Sequence, residues 1–397
     1  MKTEKIMILI EVNEQELKHT HLTHIRSTVV SRILNQKSKF HRDLSFMRYN
    51  ILLNYLIINI DDILGGNLDV LKKIIKDIET NFYISEGKVK SLLRKRKKEG
   101  VTAKDKNLRA FINRNNLSKY LPISSREDYN NLDDFKRDMK NIYEQNILTI
   151  FSNPSKGSTE KITFEEALYE IFNYKNFSEI QEDRKNTWDA YKYTELLNIS
   201  VCPYCDRQFI HTFINKEKKM RAVLDHFYAK SLYPYLAISI FNLVPCCNIC
   251  NSSFKHDVDL YNEEIVYPFE EEFKNNVEFR IKAKSYLGLI GLDADIEIEF
   301  YIKTKNSSLR SKIEKSIELF ALKEVYSNHK LFTTSLIRSI YINNSTRINE
   351  LYRQNLGLFK STTEVKNLLY LGMDDEKSLG KHVLSKLQFD IIQNYKK

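Results

Sequence analysis

Along the first 190 residues, apolar side chains recur at the three-and-four spacing of a helix that buries one face. Behind Asn67, a residue type that caps helices, Leu71, Ile74, Ile75, Ile78 and Phe82 fall on one stripe. Phe135, Met139, Ile142, Tyr143 and Ile147 repeat the pattern, and Thr163 with Glu166 has the spacing of a capping box that opens a further short helix. Near residue 275 the period drops to two. Val277, Phe279 and Ile281 alternate with polar residues, as do Ile296, Ile298, Phe300 and Ile302, which predicts two antiparallel strands. Helical spacing returns at Leu309, Ile313, Ile317 and Phe320. No internal repeat or low-complexity linker divides the chain, so the changes of period set its regions. They predict a helical N-terminal region over 1–190, a distinct middle over 191–275, and a C-terminal α+β region over 276–397 holding the strand pair.

A chain of 397 residues with 42% hydrophobic and 29% charged residues buries a core, which excludes disorder throughout. Only 10 glycines and 6 prolines suit a mainly helical protein. The best apolar stretch, Ile51 to Ile63, is interrupted by Asn54, Asn59, Asp61 and Asp62, short of the roughly 20 apolar residues a membrane span needs. Ile6 to Ile10 stops at Glu11, shorter than a signal-peptide core. The expectation is a cytoplasmic protein with no membrane partner.

Charge adds a candidate partner. The formal net charge is +10, and residues 81–130 alone hold 13 basic and 5 acidic groups. Seven of the basic residues lie between Lys88 and Lys98. On a helix they form either a face for a phosphate backbone or an ordinary solvated face. His19, His21 and His24 also cluster, but no cysteine or carboxylate pattern accompanies them, so they read as surface or packing histidines.

The five cysteines are more specific. Cys202, Cys205, Cys246, Cys247 and Cys250 all lie within 49 residues. Cys202-Pro-Tyr-Cys205 and Cys247-Asn-Ile-Cys250 are two C-x-x-C pairs with 41 residues between them, the arrangement that offers four thiolates to one tetrahedral, structural zinc. Cys246 is the spare, or replaces Cys247 through a longer spacing. Cys-Pro-Tyr-Cys alone is also a thiol-disulfide oxidoreductase motif, a reading that leaves the second pair unexplained.

Between the pairs, Val223-Leu224-Asp225-His226-Phe227 reads as a strand that ends in an acid and an imidazole. Asn242-Leu243-Val244-Pro245 follows, and Asn251 and Lys255 come just after the last cysteine. Asp225 and Asn251 are oxygen donors suited to Mg²⁺ or Mn²⁺, and His226 titrates near neutrality, as a general base must.

From Ile199 to Asp259 the sequence resembles the zinc-stapled HNH endonucleases, a family with a ββα-metal fold. The resemblance rests on C-x-x-C, Asp-His, a central Asn, C-x-x-C-Asn and Lys. It implies an α+β chain, mainly helical, around a small ββα-metal core that cuts DNA, with RNA left open. By that resemblance His226 is the general base, Asp225 and Asn251 hold the catalytic ion, Asn242 braces the loop behind the histidine, and Lys255 faces a phosphate. Two departures stand out. Ala229 replaces a frequent proline, and Ser252-Ser253-Phe254 places Lys255 one residue later than the commonest spacing. The large flanking regions resemble effectors of bacterial anti-phage systems, which implies a regulatory partner such as an ATPase or a retron component. A catalytically inactive zinc module that only binds DNA or RNA is the competing expectation.

Overall fold

Asn67 accepts a hydrogen bond from the Val70 amide at 3.1 Å, which satisfies a free donor at a helix start. The helix it opens buries Leu71, Ile74, Ile75 and Ile78. The computed structural model describes residues 9–39, 44–98, 108, 110–112, 132–144, 164–180, 187–215, 217–273, 275–370 and 379–395. Five helices come first: α1 (Glu14–Lys39), α2 (Leu44–Ile58), α3 (Ile60–Gly65), α4 (Leu68–Asn81) and α5 (Glu86–Lys98). In α1 a stripe at four-residue spacing, Leu17, His21, Val29 and Ile33, is fully buried, with His21 its one polar member. Phe135 and Met139, on the helix Leu132–Glu144, pack with Val89 and Leu92 of α5 in a small second core. Ile147 and Thr163 lie outside the described residues, and the helix Phe164–Ile171 begins just after the latter.

Among the described residues, the middle of the chain holds four short strands, in two pairs, and a tight helix. β1 (Phe213–Ile214) pairs with β2 (Lys219–Met220). β3 (Val223–His226) pairs antiparallel with β4 (Leu243–Cys246), so that Val223 faces Cys246 and His226 faces Leu243. A π-helix, Ile249–Lys255, follows directly and completes a strand-strand-helix unit. Downstream, β5 (Val277–Ala283) and β6 (Ile296–Ile302) pair from Val277 opposite Ile302 to Ala283 opposite Ile296. Helices then run to Ser385–Tyr395. The fold is α+β, mainly helical with small antiparallel strand pairs, as the periodicities predict.

One hydrophobic core runs from Ile10 to Ile392 through all three regions. The boundary expected at 190 falls at the start of a helix, Ala190–Leu197, and that at 275 just before the strand that begins at Val277, and this core spans both. The C-terminal region seats the cysteine segment: Tyr326 donates to the Cys205 carbonyl at 2.9 Å, and buried Asp206 accepts from the Ser385 hydroxyl and, at 3.0 Å, the Lys386 amide. No described helix is long and apolar enough to cross a membrane.

Candidate metal centre and active site

The first C-x-x-C pair lies on a tight turn. The amides of Cys205 and Asp206 both donate to the Cys202 carbonyl, and Asp206 takes a left-handed φ of 52° as the chain turns away. The second pair opens the π-helix, where the Cys250 amide points at Cys247 Sγ from 3.4 Å. The sulfurs of Cys202, Cys205, Cys247 and Cys250 all lie within 4.8 Å of one another, and all four residues are buried. Tetrahedral zinc, with Zn–S near 2.3 Å, places its sulfurs about 3.8 Å apart, and Cys205 and Cys247 stand at 4.0 Å. Burial pushes the Cys202 thiol well up, so its thiolate here calls for a compensating cation. The donor set fits a structural ion such as zinc. Cys247, rather than Cys246, completes the cluster; Cys246 is buried on β4.

The pleat of β3 decides what lies next to this clasp, because successive side chains of a strand leave on opposite faces. Asp225 turns into the interior. Its Oδ1 accepts from Lys255 Nζ at 2.9 Å and its Oδ2 from the Tyr204 hydroxyl at 2.8 Å, with Asp225 1% exposed and Lys255 0%. Lys255 also donates to the His226 carbonyl at 2.7 Å. The lysine that the family resemblance implies on a phosphate therefore sits inside the protein and ties the π-helix to β3. The helix is wound as a π-turn, in which the His256 amide bonds to the Asn251 carbonyl five residues back.

His226 occupies the other face. Its Nε2 lies 2.9 Å from the Ala237 carbonyl, and its ring meets Tyr174 edge-on at 4.6 Å. A carbonyl only accepts, so Nε2 carries the proton and Nδ1 keeps its lone pair. Burial, reinforced by the positive charges of Lys230 and Lys255, lowers the imidazole pKa to about 3. The ring is neutral at physiological pH. Asn242, fully buried, accepts from the Tyr228 amide at 2.7 Å and donates to the carbonyls of Tyr228 and Leu236, clipping together the loop behind the histidine. Asn251 is half-buried on the π-helix.

Two cations beside Tyr174, the ring that meets His226, are not marked by any motif. Lys230 lies 4.8 Å over the Tyr174 ring, and burial lowers its pKa. Arg221 donates to the carbonyls of Ala222 and Ser178 and leaves a buried Nε without a partner. Neither pairs with a described carboxylate. Their only sequence signal is position: Arg221 just precedes β3 and Lys230 just follows it.

The basic helix α5 behaves differently. Lys88 Nζ is 2.6 Å from Asp259 and 3.5 Å from Glu79, Lys90 pairs with Glu86, Arg94 with Asp257 and Lys95 with Glu263. Arg96 is buried. Gly87 brings the start of α5 against the loop after β3, where a Cβ would stand 2.0 Å from the Ser231 carbonyl. Much of the basic run thus faces carboxylates of the same chain. The rest of the 81–130 surplus lies largely outside the described residues.

No family model matches this chain, and neither a curated protein nor a solved structure is significantly similar to it.

Proposed function

We propose that this chain is an HNH-type endonuclease that hydrolyses phosphodiester bonds of DNA, with His226 as general base. The observation that carries the reading is the state of that imidazole. It is neutral, held at Nε2 by the Ala237 carbonyl, and backed by the Asn242 brace, with Nδ1 left to accept a proton from water. A phosphodiester brought to this face by Lys230 and Arg221 carries negative charge, which raises the depressed imidazole pKa toward the working range. The water attacks phosphorus in line as Nδ1 takes its proton, and the cluster of four cysteines keeps the hairpin in shape.

A bound Mg²⁺ or Mn²⁺ would neutralise phosphate charge and stabilise the departing alkoxide, and Asn251 is an oxygen donor of the right kind. Asp225 fits less well, because each of its oxygens is already taken by a buried donor. One lone pair remains on each oxygen, but the carboxylate is 1% exposed and already neutralised by the Lys255 ammonium. That lock favours a second reading, a zinc-stapled module that binds nucleic acid without cutting. The thiol oxidoreductase reading has the least support, since Cys202 is buried among three other sulfurs. The helical N-terminal region fits control by a protein partner, an ATPase or retron component by the architecture it resembles.

The test is plasmid DNA and single-stranded RNA incubated with the full chain in Mg²⁺ or Mn²⁺, beside His226→Ala of equal zinc content. Loss of cutting by about 100-fold or more in the variant is the expected result. Cutting that survives the substitution removes His226 as base. Binding with no cutting in any ion selects the second reading.

A further inference from the structure

We infer that His21 of α1, set by Trp188, is a positioning residue for His226 and couples the N-terminal helices to the base; the inference rests on the nuclease reading of His226. The Trp188 indole N–H donates to His21 Nδ1 at 2.9 Å. Indole nitrogen only donates, so Nδ1 carries no proton and Nε2 does. His21 Nε2 then donates to the Ile238 carbonyl at 2.9 Å. The adjoining carbonyl, Ala237, is the one that holds His226. Ser239, next along, donates through its hydroxyl to the Ile63 carbonyl of α3.

Three consecutive residues of one short loop are therefore tethered by side-chain hydrogen bonds to β3, α1 and α3. The two histidines hold neighbouring peptide units, so the direction of the Ala237 carbonyl depends on where α1 holds Ile238. The residues of this relay are buried except Trp188, which is half-buried: Ile238 is 2% exposed and His21 0%. A shift of α1 or of the segment around Trp188 turns the Ala237 carbonyl and with it the ring that must present Nδ1 to water.

The experiment compares His21→Leu, His21→Gln and Trp188→Phe in the full chain. Glutamine has one acceptor and a donor that can reproduce both bonds; leucine reproduces neither. Where the wild type cuts DNA, His21→Leu should lower the cleavage rate at saturating substrate about tenfold or more with KM within twofold, and His21→Gln should recover most of it. A merely structural histidine would give equal losses for Leu and Gln, tracking thermal stability, and that result overturns the inference. Failure of the nuclease reading is separate, because ¹⁵N-histidine spectra, assigned with His226→Gln, read the ring without activity. The wild type should show His226 as the Nε2–H tautomer, and His21→Leu and Trp188→Phe should shift its ring nitrogens. An unmoved His226 signal in both variants overturns the coupling, and Trp188→Phe decides alone should His21→Leu not fold.

Discussion

The cysteine segment and the basic helix α5 both stand out by composition, and they differ in what their side chains meet. The cysteines meet one another: four sulfurs from two distant pairs gather within 4.8 Å. The lysines and arginines of α5 meet carboxylates that follow the same cysteine segment, Asp257, Asp259 and Glu263. Thiolates around a tetrahedral ion come in a fixed number and geometry, so their spacing names the partner. Positive charge has no such stoichiometry. A carboxylate of the same chain serves as well as a phosphate, and nothing local to residues 86–98 says which is present.

Removing one ligand gives the largest expected effect. Cys202→Ser should lose the bound zinc, about one per chain in the wild type, and abolish cooperative folding of the middle region, since a structural zinc contributes on the order of 10 kcal/mol. Cys246→Ala, one position outside the cluster, should keep the metal and cost about 1 kcal/mol. Metal analysis beside thermal unfolding reads both. A Cys202→Ser protein that retains full zinc would break the comparison at its first term.

Within α5 the contrast repeats on a smaller scale. Burial works against the Lys88 charge, but Glu79 and Asp259 outweigh it and hold its pKa above the ordinary value. Asp259 is held below its ordinary value by the same pairing, against its own burial. Lys88→Met leaves that carboxylate, 12% exposed, without a cation though still hydrogen-bonded by Tyr233 and Asn262, and should cost about 3 kcal/mol. Arg94→Ala breaks an exposed pair and should cost at most about 1 kcal/mol. Urea unfolding of the two variants separates a clamp from a solvated face; equal losses would mean that burial does not grade these pairs.

How much of this was legible depends on the range of the interaction. Helix α4 follows from its own cap and stripe, and β5 and β6 from alternation, because both are local. The two sulfur pairs are legible at long range because thiolate chemistry restricts their use. Asp225 and His226 were not separable as neighbours in a motif: the pleat sends one to Lys255 and Tyr204 and the other to Ala237. Lys255 turns inward from a π-helix onto Asp225 and the His226 carbonyl, a winding that no periodicity reveals. His21 left a trace, a polar residue inside the stripe Leu17, Val29 and Ile33, but its partners are Trp188 and Ile238, far along the chain.

Acid should distinguish that histidine from the charged helix. Burial lowers the His21 pKa from 6.5 to about 3, with an opposing contribution from the Ile238 carbonyl and a further lowering by His24 on the same helix. The facing groups, Phe177, Trp188 and the Ile238 carbonyl, bring no charge. Below pH 6.5 the unfolded chain binds a proton that the folded chain refuses, so the stability present above pH 6.5 is lost as pH falls toward 3. His21→Gln should flatten this loss by up to about 1.4 kcal/mol per pH unit, read from denaturation midpoints between pH 7 and 5. An unchanged slope would mean that His21 is protonated in the fold.

The smallest effect lies at the end of the π-helix, on the sulfur side of the comparison. His256 closes it with φ 47° and ψ −125°, a backbone conformation that suits glycine, and its side chain is exposed. Such strain costs about 1–3 kcal/mol, against about 0.5–1 kcal/mol for the extra freedom glycine brings to the unfolded chain. His256→Gly should therefore raise stability by about 1 kcal/mol, as a higher urea midpoint at unchanged slope. The gain follows because the π-turn is fixed by Lys255, whose ammonium is anchored on Asp225 and the His226 carbonyl, so the chain must leave the helix through position 256 whatever residue stands there. A loss of stability instead would show that the imidazole carries a contact stronger than the strain it imposes.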